Sequence, residues 1–429
     1  MTINKSLFDY IKKSPSPFHA VATTADILEK SGYTRLYEGD SWNLTEGGKY
    51  YVTRGGTSII AFRVPKADFR GFMISAAHSD SPTFKIKENS EIKGGAYVKL
   101  STEKYGGMLF STWMDRPLGI AGRVAVKENG AVKLRLVDLG PACAIIPNLA
   151  IHMNRSANDG VKYNPAVDMI PVWGCGDDSE SFKAKVATVA GADESDILSA
   201  DLMLYCSDEC REFGGIISAP RLDDLQCAYA SLEAFISSSD GDCAPVYCLF
   251  DNEEVGSLSK QGADSTFLYD VLDRISLDFG STESFKRRVS QSFLISCDNA
   301  HASHPNHPEY SDPNHAVQLN KGVVIKYNAN QKYTSDGVSI AILKLLCEEA
   351  GIPWQIYANR ADLPGGSTLG NISNSHVSLN SVDVGLPQLA MHSAYESAGS
   401  RDTESMVGLL KVFFSRSLVL NDGLGAKLL

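Results

Sequence analysis

Short apolar runs, scattered along the chain, stop abruptly at histidine or carboxylate, and this pattern constrains the sequence most. Gly71-Phe72-Met73-Ile74-Ser75-Ala76-Ala77 runs into His78-Ser79-Asp80, and Pro245-Val246-Tyr247-Cys248-Leu249-Phe250 into Asp251-Asn252-Glu253-Glu254. Ser292-Phe293-Leu294-Ile295-Ser296-Cys297 runs into Asp298-Asn299-Ala300-His301. Runs this short and this apolar have the character of strands buried on both faces. Val323–Tyr327 and Ile352–Tyr357 are two more. Helical spacing of apolar residues lies between them, at Leu225–Ile236, Val338–Glu349 and Ser405–Leu418. Strands alternating with helices predict an α/β fold with a mostly parallel, doubly wound sheet. Ligands of such sheets collect at the carboxyl ends of strands, which is where these polar residues fall.

The N-terminal region adds helical spacing at residues 6–12 and 18–31, broken at Ser14-Pro15-Ser16-Pro17, where the prolines enforce extended backbone. From about residue 88 to 216 the texture changes to short alternating runs with glycine turns, such as Gly119–Val126 and Ala131–Val137. Polar strand ends lie on both sides of this stretch. It is therefore expected to be a β-rich domain inserted into the α/β domain, giving 1–87, 88–216 and 217–429 as the three pieces. A chain of 429 residues exceeds one ordinary core, which agrees.

A formal net charge of −11 with no basic patch argues against a nucleic-acid or anionic-membrane partner. No run of about 18 apolar residues and no signal-peptide pattern is present, so no membrane span is expected. Nine cysteines without a repeating frame fit reduced thiols and a cytoplasmic location.

Histidines and carboxylates at strand ends form the donor set of a two-metal hydrolase. Each segment also has a plainer reading. His78-Ser79-Asp80 alone is a weak motif, although Asp80 is placed to orient a metal-bound imidazole. Asp223 and Asp224, in Arg221-Leu222-Asp223-Asp224, start a helix, where aspartate is a common cap. Glu253-Glu254 is sharper. In an extended turn the two side chains point opposite ways, one toward a metal and one toward substrate as general base. Paired charges beside a buried strand are costly unless cations neutralise them. His392, in Met391-His392-Ser393, reads equally as a satisfied buried histidine. In the run His301–His307, Pro305 prevents a helical cluster, leaving His301 as the functional candidate and His304 and His307 as loop residues. No G-x-S-x-G elbow or phosphate-binding loop offers another chemistry.

These segments resemble the aspartyl aminopeptidase family of dinuclear zinc metallopeptidases, and the resemblance spans nearly the whole chain. It is carried by Ser14-Pro15-Ser16-Pro17-Phe18-His19-Ala20, Ala77-His78-Ser79-Asp80-Ser81-Pro82, Ser111-Thr112-Trp113-Met114-Asp115-Arg116-Pro117-Leu118, Asn148-Leu149-Ala150-Ile151-His152 and Arg221-Leu222-Asp223. Asp251–Ser257, Asp298–His301 and Met391–Ser393 continue it.

The resemblance implies His78, Asp223, Glu254, Asp298 and His392 as ligands of two Zn²⁺ ions per subunit, with Asp223 bridging. It implies Glu253 as general base, Asp80 as orienter of His78, and His301 and Lys326 as substrate-binding residues. His152 is implied to reach a substrate site across a subunit interface. An alternative reading of the family makes it a metal ligand, but five ligands already serve two ions sharing a carboxylate. Mn²⁺ and Co²⁺ suit the same donors. The implied activity is removal of an N-terminal residue, Asp or Glu in the family, from peptides by a two-zinc-activated water. The implied assembly is a homo-oligomer built on dimers through the inserted domain, up to a dodecamer. Gly365-Gly366 departs from many relatives, which bears on strict acidic preference. Two rivals stand beside this reading: a dinuclear-metal dipeptidase or deacylase, and a non-catalytic assembly scaffold on the same fold.

Overall fold

The structure, a computed structural model, describes residues 2–176, 180–363, 366, 368–421 and 425–429. Pro364, Gly365 and Ser367, in the glycine loop singled out above, lie outside the described residues.

The apolar runs form the middle of a nine-stranded sheet. Its order is Thr34–Leu36, Lys49–Arg54, Ser58–Arg63, Ala244–Phe250, Phe72–His78, Phe293–Cys297, Asn380–Gly385, Val323–Tyr327, Trp354–Ala358. Ala244–Phe250, Phe72–His78, Phe293–Cys297 and Asn380–Gly385 run parallel to one another. Antiparallel pairings join Ser58–Arg63 to its neighbours on each side and Val323–Tyr327 to Asn380–Gly385. Side-chain alternation sends one half of each central strand to each face. Tyr247 and Leu249 pack with helices Leu222–Ser237 and Asp402–Ser415, while Val246, Cys248 and Phe250 pack with Phe267–Asp278. The sheet is doubly wound, as the alternation of the sequence predicts.

The helix expected over Ser405–Leu418 runs from Asp402 to Ser415, and Leu418 instead opens a hairpin with Gly425–Leu428. Leu418 is apolar and correctly spaced, so periodicity alone extends the helix through it. Asp223 and Asp224 start helix Leu222–Ser237 with non-helical backbone, and the helix has no side-chain cap. Their carboxylates are turned to other partners, described below. The peptide between them is cis.

Residues 83–206 supply a separate six-stranded antiparallel sheet in the order Ala131–Asp138, Leu118–Glu128, Ile197–Cys206, Thr83–Gly94, Tyr97–Tyr105, Val172–Cys175. Helix Phe182–Ala190 packs on it through Phe182, Val186 and Ala190. A third, five-stranded sheet contains Ile216–Ala219 beside Glu396–Gly399, with Ala219 opposite Glu396. Among the described residues no helix is long and apolar enough to cross a membrane.

Candidate metal centre

Strand register assembles the centre. His78 lies opposite Phe250 and Ala76 opposite Ser296, so the residues that follow Phe250 and Cys297 emerge level with His78. Gly385, on the next strand, meets Asp298 so closely that a Cβ there would stand 2.1 Å from the Asp298 carbonyl oxygen. Any side chain at Gly385 would push Asp298 out of line.

Asp223 stands at the middle of the group. Its Oδ1 is 3.3 Å from Nε2 of His78, and its Oδ2 is 3.6 Å from Nε2 of His392. His78 Nε2 is also 4.0 Å from Asp298 Oδ1, and His392 Nε2 is 3.4 Å from Glu254 Oε2. Donor atoms of His78, Asp223 and Glu254 lie within 4.8 Å of one another, as do those of Asp223, Asp224 and Asp298. Asp224 therefore also offers an oxygen. Its Oδ2 accepts from the His78 backbone N–H at 3.1 Å, while Oδ1 has no partner.

Asp80 ties the first histidine to the glutamate pair. His78 Nδ1 is 3.0 Å from the Asp80 carbonyl oxygen and 3.4 Å from its Oδ1. A carbonyl can only accept, so Nδ1 carries a proton, and Nε2 is the ring nitrogen that would serve a metal. The Asp80 carboxylate accepts from the N–H groups of Glu253 and Glu254, each at 3.2 Å. These glutamates occupy a single 3₁₀ turn, Glu253–Val255, rather than the extended turn expected from sequence. The left-handed backbone of Asn252 starts that turn.

The electrostatics describe a site crowded with negative charge. Burial raises Glu253 to about 8; the carboxylates of Asp298, Asp80 and Asp223 add to the rise and His78 opposes it. Burial, then Asp223, lifts Glu254 well above the carboxylate range. Burial also opposes ionisation of Asp223, but His392 and His78 outweigh it and hold Asp223 below its ordinary value. Burial disfavours a charged His78, yet Asp223, Asp80 and Asp224 raise it well above the usual histidine value. Oδ1 of Asp223, Oδ1 of Asp224 and Oε1 of Glu254 are buried without a hydrogen-bond donor. Buried acceptors in such numbers are costly unless cations occupy the space between them. The donor set of two imidazoles and several carboxylate oxygens fits zinc.

The sequence model of the family described as aminopeptidase I zinc metalloprotease (M18) matches residues 10–414. The chain belongs to this family. A probable M18 family aminopeptidase 2 of Clostridium acetobutylicum is 44% identical over 411 residues, covering 93% of this chain and 95% of that protein. One from Pseudomonas paraeruginosa is 39% identical over 426 residues, covering 97% and 98%. Among solved structures, a chain of the Ape4 and Nbr1 complex superposes with a TM-score of 0.93 at 35% identity, covering 96% of this chain and 85% of that one. The S. cerevisiae mApe1 dodecamer gives 0.82 at 30% identity, covering 96% of each chain. This M18 aminopeptidase is thus a zinc metallohydrolase acting on peptide N-termini.

Three further residues expected from sequence are placed differently in this aminopeptidase. Lys326 is buried, with Nζ 3.3 Å from Asp298 Oδ2 and 5.6 Å from the ring centroid of Tyr333. His301 is exposed in the single chain and lines a cavity of about 310 Å³ with His304, Tyr310 and Tyr357. His304 and His307 are loop residues, as expected. His152 is exposed in a turn and makes no hydrogen bond or ion pair with the cluster.

Glu396 escaped the sequence reading. Its carboxylate accepts from the backbone N–H of Asp223 at 3.0 Å and of His392 at 2.8 Å, fixing both sides of the centre at once. Burial raises it to about 8, and the Asp223 charge adds to the rise. Its position four residues after His392 was the available signal.

Proposed function

We propose that this aminopeptidase works with two zinc ions per subunit that share the Asp223 carboxylate, and that it prefers an acidic N-terminal residue. The observation that carries the first part is the orientation of Asp223. One oxygen faces His78, with Asp298 beyond it; the other faces His392, with Glu254 beyond it. Two donor sets meeting at one carboxylate would hold two ions, with Asp223 belonging to both sets. Mn²⁺ and Co²⁺ suit the same donors. Bound there, the ions supply Lewis acidity, lowering the pKa of a water and polarising a scissile carbonyl.

The chain's own residues do the rest. Glu253, in the turn beside the ligand Glu254, takes the proton from the attacking water and returns it to the leaving amine. Asp80 fixes the Glu253 backbone and the His78 ring, so base and ligand keep a constant relation. The substrate's free amine is held among the carboxylates, which confines cleavage to the terminal residue.

Lys326 supports the acidic preference. Its ammonium is buried, and burial, which disfavours the charge, is outweighed chiefly by Asp298. With Asp298 holding zinc through Oδ1, the ammonium would keep its contact with Oδ2 and have further N–H groups to donate to a substrate carboxylate. Lys326→Met is expected to lower kcat/KM for Asp- and Glu-terminated peptides by about 10–100-fold more than for Leu-terminated ones, the size of a charged hydrogen bond. Equal losses for all three in a stopped assay would remove Lys326 from selectivity.

We further propose that subunits pair through the six-stranded sheet. Its edge strand exposes Val132, Leu134 and Leu136 at 61%, 62% and 45% on one face, and the 149–153 turn exposes Met153 at 78%. A row of exposed apolar side chains along one face of an edge strand suits an interface. His152 sits in that same turn, and we propose that it reaches the site of a neighbouring subunit. Leu134→Glu is expected to reduce the assembly in light scattering; an unchanged mass would place the interface elsewhere.

A further inference from the structure

The strand Tyr97–Tyr105 of the six-stranded sheet ends against the metal centre of the other sheet. Thr83 pairs with Tyr105, and only Ser81 and Pro82 separate Thr83 from Asp80, so the register delivers the Tyr105 ring to the Asp80 carboxylate. The Tyr105 hydroxyl donates to Asp80 Oδ2 at 2.5 Å and accepts from Asn252 Nδ2 at 2.9 Å. Asn252 opens the turn that carries Glu253 and Glu254. One hydroxyl therefore joins both ends of the frame around the general base: the carboxylate that receives the Glu253 and Glu254 N–H groups, and the residue from which the turn starts.

The chain beyond Tyr105 continues across the centre. Gly106 has φ +73°, and a Cβ there would stand 3.1 Å from Glu254 Cβ, so a side chain would strain the backbone and crowd the glutamate turn. The Leu109 N–H donates to the His392 carbonyl at 3.1 Å, and the Thr112 hydroxyl accepts from Ala394 N–H at 2.9 Å. Residues 105–112 thus touch the glutamate turn at one end and the His392 loop at the other.

We propose that Tyr105 is a positioning residue for peptide hydrolysis, acting through Asp80 and Asn252 to hold the Glu253 turn in register with His78. The role makes the six-stranded sheet part of the catalytic apparatus as well as a surface. It rests on Glu253 being the general base. Tyr105→Phe keeps the ring and removes only the hydroxyl, leaving an Asp80 oxygen and the Asn252 amide each one partner short. The expected result is a fall in kcat of about tenfold or more, the size of a hydrogen bond to a charged group, with KM changed less than about threefold. Zinc content by elemental analysis is expected to stay at the wild-type value.

Coupling to Asp80 separates positioning from general loosening. In an Asp80→Asn background, adding Tyr105→Phe is expected to cost little more, because the two residues act as one unit. Additive losses, or wild-type kcat in Tyr105→Phe while Glu253→Gln is disabled, would overturn this role alone. An unimpaired Glu253→Gln would overturn the base assignment and this role with it. Should Tyr105→Phe fold poorly, Asn252→Gly, which keeps the left-handed backbone and removes only the amide, tests the other arm of the same hydroxyl and is expected to lower kcat with KM and zinc content retained; unchanged kcat there counts against the proposal.

Discussion

Glu253→Gln is expected to retain its zinc and lose at least ~10²-fold in turnover, the usual contribution of a general base. Glutamine matches glutamate in shape and keeps the backbone N–H that donates to Asp80, so the turn is preserved. What disappears is an oxygen able to take a proton. Glu253 differs from its neighbour in this respect: Glu254 Oε2 faces His392 Nε2 at 3.4 Å, whereas no hydrogen bond or ion pair ties the Glu253 side chain to either histidine. KM is expected to change little, because the substitution removes an interaction made in the transition state. Near-normal turnover in a continuous peptide assay would remove Glu253 from the role.

Chelation is expected to abolish activity and lower the melting temperature, with zinc restoring both. The two effects have one source. Without cations, Asp223, Glu254 and Asp224 hold buried oxygens that receive no donor, while Asp298 relies on Lys326. Zinc at a hundredfold excess over its dissociation constant stabilises the folded state by about 2.7 kcal/mol for each independent site. Asp223→Ala removes the carboxylate facing both histidines, so its melting temperature is expected to become insensitive to chelator. A chelator-sensitive melting temperature in that variant would show that the ions bind without Asp223.

Much of the fold is legible in the sequence because its central strands are buried on both faces and end where the chemistry begins. Phe72–His78, Ala244–Phe250 and Phe293–Cys297 read as apolar runs for that reason. His78, Asp298 and the glutamate pair were legible with them, since parallel register brings such ends level. The geometry of the turn was not. Glu253 and Glu254 sit in a 3₁₀ turn set by the left-handed Asn252, which no local pattern announces. The cap reading of Asp223 and Asp224 failed because tertiary partners outweigh local preference. Asp223 is turned to the two histidines, and Asp224 accepts from the backbone of His78, 146 residues away. Glu396 and Tyr105 act on the centre from the five- and six-stranded sheets, through pairings such as Ala219 with Glu396 and Thr83 with Tyr105. Such long-range registers leave little trace in one sequence, so these residues emerged only from the structure.

The two-zinc centre is tested most directly by titrating metal-free enzyme with zinc while recording bound metal and turnover together. Two ions per chain are expected, with full turnover reached only as the second binds. Saturation at one ion per chain, or full turnover at one, would contradict the two-zinc centre.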